Sequence, residues 1–166
     1  MAKGTHDFAA DPRNETILIN VNGVMTPRAE AVVSVFDSGF MLGDGVWEGL
    51  RVHKGRIAFL EAHLDRLFEG SKAIAMDIGI SRQALTDRLY ETIRDNAMAD
   101  QEGVHIRLMV TRGIRSTPYQ DPRVVISPAT IVIIPEYKEA LPSTVENGIR
   151  LFTVHVRRGD PAAQDQ

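Results

Sequence analysis

The chain has 166 residues, 43% hydrophobic and 25% charged, which excludes wholesale disorder and supplies enough apolar surface for a core. A formal charge of −3 argues against a broadly basic nucleic-acid-binding surface, and the absence of cysteine excludes disulfides, thiolate catalysis and cysteine-ligated zinc. No run approaches the ~18 apolar residues of a membrane span, and residues 1–13 lack the apolar centre of a signal peptide, so a soluble, cytoplasmic protein without membrane or nucleic-acid partners is expected.

Residues 1–16 mix glycine, proline, asparagine and charge and read as a flexible lead-in. Residues 17–21 predict a strand, Asn22-Gly23 a two-residue turn, and Val24-Met25 the start of the return strand. Residues 31–35 predict a third short strand. Gly39, Gly43 and Gly45 predict a loop with one helical turn over residues 36–45. Residues 46–53 read as a strand, Lys54-Gly55 as a turn and residues 56–60 as the paired strand. Leu60, Leu64, Leu67, Phe68 and Ile74 recur near helical spacing and predict a helix over 61–76. Leu85, Leu89, Tyr90 and Ile93 predict a second over 81–96, with Ser81 as its N-cap. Residues 104–111 form a strand with His105, Arg107 and Met109 on one face. A polar loop over 113–128 precedes a short buried strand at 129–135, a charged linker over 136–148 and a further strand at 149–156.

This order predicts an α+β fold: a two-layer sandwich whose largely antiparallel sheet carries its helices on one face. The expected organisation is a lead-in over 1–16, one α/β domain over 17–135, a linker over 136–148 and the first strand of a second domain over 149–166.

Three groups of residues point to chemistry. On the strand at 46–53, Trp47, Gly49 and Arg51 share one face, and Val46, Glu48 and Leu50 the other. Trp47 beside Gly49 either walls a pocket or packs into a core. On the first helix, His63, Arg66 and Gly70 share a stripe. Arg66 is either a fork for phosphate or carboxylate, or a surface ion pair with Asp65 or Glu69. Arg107, on an apolar strand, needs an anionic partner if buried, and Arg115 lies in a loop where a cation can meet a carboxylate or stay solvated. No phosphate loop, dinucleotide fingerprint, metal helix or nucleophile elbow is present, and the five histidines are scattered. Lys3, Lys54, Lys72 and Lys138 all lie in polar settings unsuited to imine chemistry. The residues alone support an anion-binding pocket without a catalytic group.

Four blocks, Gly43-Asp44-Gly45-Val46-Trp47-Glu48-Gly49-Leu50-Arg51, Gly55-Arg56, His63-Leu64-Asp65-Arg66-Leu67 and Val110-Thr111-Arg112-Gly113, resemble in order and spacing the N-terminal half of class IV aminotransferases. These fold-type IV pyridoxal-phosphate enzymes include branched-chain, D-amino acid and R-selective amine transaminases and aminodeoxychorismate lyase. The resemblance covers residues 17–165. It implies pyridoxal 5'-phosphate as cofactor, an amino acid or amine donor with a 2-keto acid acceptor, and a homodimer. It places Arg66 on the cofactor phosphate, lines the substrate pocket with Phe40, Leu42, Trp47 and Gly49, and makes Arg107 and Arg115 candidates for the substrate carboxylate.

Leu42 stands where branched-chain enzymes usually carry tyrosine, and the Arg-x-His pair of D-amino acid enzymes is not visible in residues 114–120. The segment 157–161 resembles the one that precedes the family's aldimine lysine, but no such lysine follows before Gln166. The expectation is therefore the N-terminal part of a longer enzyme, inactive by itself. A lyase on the same fold and a non-catalytic ligand- or partner-binding domain are the alternatives.

Overall fold

Two-residue reversals set the register of the sheet. β1 (Leu18–Val21) and β2 (Val24–Pro27) pair antiparallel around Asn22 and Gly23, whose φ values of 55° and 90° are those a two-residue hairpin needs. The same device, at Lys54 and Gly55, joins β3 (Gly45–His53) to β4 (Arg56–Ile57). In this computed structural model, which describes residues 10–139 and 142–157, β5 (Val104–Thr111) and β6 (Thr130–Tyr137) complete a six-stranded sheet in the order β2-β1-β6-β5-β3-β4. All its pairings are antiparallel.

The strict in-out alternation of β3 and β5 gives the sheet one buried face. On it, Leu50, Ile106, Leu108 and Ile133 meet Leu64 and Leu67 of α2 (Leu60–Ala73) and Leu85, Leu89 and Ile93 of α3 (Arg82–Asp95) in one core. Ser81 caps α3 as expected, its hydroxyl accepting from the Ala84 amide at 3.1 Å. Asn96, just past the end of α3, brackets Leu18 of β1, accepting from its amide at 2.7 Å and donating to its carbonyl at 2.9 Å. The antiparallel sheet with α2 and α3 packed on one face is the architecture the element order predicts.

Several expectations are corrected. Residues 31–35 form no strand: the chain turns after Pro27, β1 already occupies the inner side of β2, and Val32, Val33 and Val35 stay exposed. The pairing expected over 56–60 stops at Ile57, because Phe59 adopts a left-handed φ of 53° and turns the chain into α2. Residues 10–16 are not a loose lead-in: a 3-10 turn over Pro12–Glu15 follows Asp11, and Asn14 exchanges hydrogen bonds of 2.9 and 2.7 Å with the backbone of Tyr137. The rest of that lead-in, residues 1–9, lies outside the described residues.

At the other end, β6 runs two residues into the expected linker, and α4 (Pro142–Asn147) occupies more of it. The strand expected over 149–156 is absent. Leu151, Phe152, Val154 and Val156 are exposed and find no partner strand, without which an extended segment has no ladder. The segment 158–166, which the expected second domain includes, lies outside the described residues.

Candidate functional site

The site is organised by β3 and by the loop that feeds it. α1 (Ser38–Leu42) is the helical turn expected in that loop. Asp37 caps it, accepting from the Gly39 amide at 2.8 Å and from the Thr111 hydroxyl at 2.8 Å. Residue 39 must be glycine here, since a Cβ would sit 2.4 Å from the Thr111 methyl. The loop is thus drawn against the end of β5. Phe40 and Leu42 project from α1 with exposed side chains. Leu42 lines a cleft of about 320 Å³ with Asp44, Gly45, Ile74, Arg115 and Gln120.

On the sheet face opposite the helices, register places Gly49 across from Arg107, Trp47 across from Met109 and Arg51 across from His105. Trp47 is 58% exposed, so it is not a packed core residue. The Arg107 guanidinium lies over its ring, 4.1 Å from the centroid, a contact worth ~0.5–2 kcal/mol. Among the described residues Arg107 has no ion-pair or hydrogen-bond partner. The space a Cβ would take at Gly49 is bounded by His105 Nε2 at 3.3 Å and the Trp47 ring at 3.9 Å. Burial lowers the His105 pKa from its ordinary 6.5, and the neighbouring Arg51 adds to this against the pull of Glu136. Trp47, Gly49, His105 and Arg107 therefore form an open, cationic, partly aromatic patch.

Arg66 lies on the helix side. Glu48, one residue after Trp47, points into the buried face and is only 2% exposed. Its Oε1 accepts from Arg66 Nε at 2.7 Å, and its Oε2 accepts from Arg66 Nη2 and from His63 Nδ1, the latter at 2.8 Å. Burial raises the Glu48 pKa, but the hydrogen bonds and charges of Arg66 and His63 outweigh it and hold the carboxyl below its ordinary value. Neither Asp65 nor Glu69 is the partner of Arg66. The Arg66 side chain is 70% exposed, and its Nη1 has no hydrogen-bond partner among the described residues. A guanidinium anchored along one edge, with its other edge in solvent, fits a cofactor phosphate.

Arg115 is placed differently from a free carboxylate receptor. It is buried: Nε donates to Ser38 Oγ at 3.0 Å, Nη1 to the Tyr119 and Asp121 carbonyls at 2.8 and 3.1 Å, and Nη2 to Asp44 Oδ2 at 3.0 Å. Asp44 also accepts from Arg112 Nε at 2.7 Å, and Arg112 donates to the Ile74 and Ala75 carbonyls at the end of α2. Every nitrogen of Arg115 is thus committed to bracing the loop.

The candidates do not converge on one enclosed pocket in this chain. Trp47, Gly49 and Arg107 share the open face, Arg66 belongs to the helix side, and Leu42 and Arg115 line the separate cleft. Sequence reasoning gave no role to Glu48, Asp44 or His105, and placed His63 on the Arg66 stripe without its carboxylate partner. Glu48 carried a signal, as a charge within the inward-facing series of Val46, Leu50 and Val52.

The family model described as amino-transferase class IV matches residues 45–166. Two Arabidopsis thaliana proteins named branched-chain-amino-acid aminotransferase-like protein 1 and 2 are 41% and 39% identical over 150 and 152 residues, 90% of this chain and 26% of each relative. Among solved structures, the 4-amino-4-deoxychorismate lyase of Pseudomonas aeruginosa matches with a TM-score of 0.65 at 30% identity, over 83% of this chain and 47% of the lyase chain. The chain thus spans about a quarter of the length of these curated relatives and under half of the lyase.

Proposed function

The chain belongs to the class IV aminotransferase family, and from that premise we propose that it is the N-terminal part of a pyridoxal-phosphate-dependent transaminase. The reaction moves an amino group between an amino acid or primary amine and a 2-keto acid. A branched-chain preference draws support from the names of the two Arabidopsis relatives. The observation that carries the reading is the exposed Arg66 fork, anchored on buried Glu48 within two of the four sequence blocks that resemble the family.

In this reading Arg66 holds the cofactor phosphate through its solvent-facing edge. The bound cofactor supplies an electron sink for charge developing on the carbon that bears the amino group. Arg107, unpaired and stacked on Trp47, receives the substrate carboxylate. Trp47 and Gly49 bound the space beside Arg107 for the substrate side chain, while the roles of Phe40 and Leu42, exposed on α1 and apart from that face, rest on the family resemblance, with Leu42 contributing no hydroxyl. The neutral His105 imidazole beside Gly49 offers a hydrogen-bonding group without adding charge. The same reading extends to a homodimer in the cytoplasm.

The test is amino transfer by the full-length protein, supplied with pyridoxal phosphate, from glutamate to 2-keto acids of varied side chain. The expected result is faster turnover of branched acceptors and loss of bound cofactor in Arg66→Ala. Absence of transfer with every donor and acceptor overturns the proposal. A lyase reading is favoured by one observation, the 30% identity to the Pseudomonas enzyme. Pyruvate released from aminodeoxychorismate without a keto acceptor would establish it.

A further inference from the structure

Resting on the reading that Arg66 grips the cofactor phosphate, we propose that Glu48 is a positioning residue that, together with His63, fixes the Arg66 guanidinium so that only its Nη1–Nη2 edge is offered to a phosphate monoester. Both carboxylate oxygens are spent on this task. Oε1 takes Nε at 2.7 Å, and Oε2 takes Nη2 and His63 Nδ1. A carboxylate oxygen only accepts, so His63 Nδ1 carries its proton toward Glu48. The 3.3 Å approach of Arg66 Nη2 to that same nitrogen is then a contact between two donors, and both are directed onto one acceptor. The Nε–Nη2 side of the guanidinium is closed by Glu48, and its end, carrying Nη1, remains open.

The location of Glu48 argues for this role. It stands in an inward-facing run with Val46, Leu50 and Val52, where an apolar side chain would continue the core. A carboxylate buried there pays for desolvation, and its partner is too exposed to return much stability. What the arrangement does achieve is orientation. Arg66 is long and faces solvent, so unpaired it would sample many rotamers, and each hydrogen bond to a phosphate would have to order it anew. α2 supplies His63 and Arg66 three residues apart on one stripe, so a single inward carboxylate reaches both.

The experiment measures equilibrium binding of pyridoxal 5'-phosphate and of pyridoxal, which lacks the phosphate, to the full-length protein by visible absorbance. Glu48→Gln keeps the shape of the side chain but removes its charge. It should weaken pyridoxal phosphate about ten-fold, the order that losing an outer hydrogen-bond partner costs a metal site, and change pyridoxal less than about two-fold. A purely structural role would weaken both alike, and that result overturns the proposal. In an Arg66→Ala background Glu48→Gln should have no further effect on either ligand; a full effect there also overturns it. If Arg66→Ala itself leaves pyridoxal phosphate binding unchanged, the phosphate reading has failed. If Arg66→Ala weakens binding and Glu48→Gln does not, only the positioning role has failed. Should Glu48→Gln not fold, Arg66→Lys carries the test. It keeps the charge but cannot bridge both carboxylate oxygens, and wild-type discrimination between the two ligands in that variant refutes the role.

Discussion

Replacing Asp44 by alanine should destabilise the fold by ~3 kcal/mol. Asp44 is the only carboxylate on the Arg115 guanidinium among the described residues, and the Arg115 side chain is 2% exposed. Removing one member of a buried ion pair leaves the other charge uncompensated, at a cost of ~3–5 kcal/mol. Two features place this case at the lower end of that range. Asp44 keeps 18% of its side chain exposed, and Arg115 retains three neutral acceptors, Ser38 Oγ and the Tyr119 and Asp121 carbonyls. Because Arg112 ties Asp44 to the end of α2, the same change frees that corner of the helix layer. At ~2–4 °C per kcal/mol for a domain of this size, Tm should fall by ~6–12 °C. Urea unfolding followed by circular dichroism and by Trp47 fluorescence measures it. Asp44→Asn, which keeps the shape and one acceptor, should lose about half as much. Glu91→Ala, at an exposed i,i+3 pair with Arg94, should leave the midpoint unchanged. An Asp44→Ala midpoint within ~1 kcal/mol of wild type would refute the brace and free Arg115 for another role.

Stability should also respond to acid in a defined window. Burial raises the pKa values of Asp44 and Glu48, but their arginine partners, with His63 at Glu48, outweigh it and hold both carboxyls below the ordinary values of 3.8 and 4.5. A carboxyl lowered in the fold contributes stability above its unfolded pKa and loses it as pH falls. The urea midpoint should therefore hold down to about pH 5 and drop below it, and Asp44→Asn should flatten that drop; an unaltered slope in the variant contradicts the assignment. Ser81→Ala removes the α3 cap and should cost ~1 kcal/mol by denaturant titration. Leu85→Ala empties a fully buried position and should cost ~2–5 kcal/mol in the same assay. Arg115→Ala should lower Tm while leaving the kcat/KM ratio of amino acids to simple amines unchanged, whereas Arg107→Ala should collapse that ratio with little effect on Tm.

Local chemistry made much of this fold legible. Asn22-Gly23 and Lys54-Gly55 announce hairpins because few residue pairs accept positive φ, and alternation along β5 states which face is buried. Residues 31–35 and 149–156 mislead for a common reason: apolar β-branched residues report a tendency to be covered, whereas a strand also needs a neighbouring backbone. The site was legible only where one strand or one helix carries it. Trp47 and Gly49, or His63 and Arg66, are related by simple periods. The bonds of Asp44 to Arg112 and Arg115 join residues 68 and 71 positions apart, and no local pattern encodes them. The fate of Arg115 shows the difference, since a loop arginine reads as available until its carbonyl partners are seen.

Trp47 and Glu48 are consecutive, yet they serve opposite sides of the same sheet. This adjacency constrains how the protein can change. A one-residue insertion or deletion that slips Trp47 and Glu48 together by one position against β5 would exchange the two directions, sending the indole inward and the carboxylate out, so both sites would fail together. Point substitution can alter either side chain alone, but a change of length cannot. Divergent relatives should therefore tolerate length variation in the 113–128 loop while keeping this nine-residue strand at constant length.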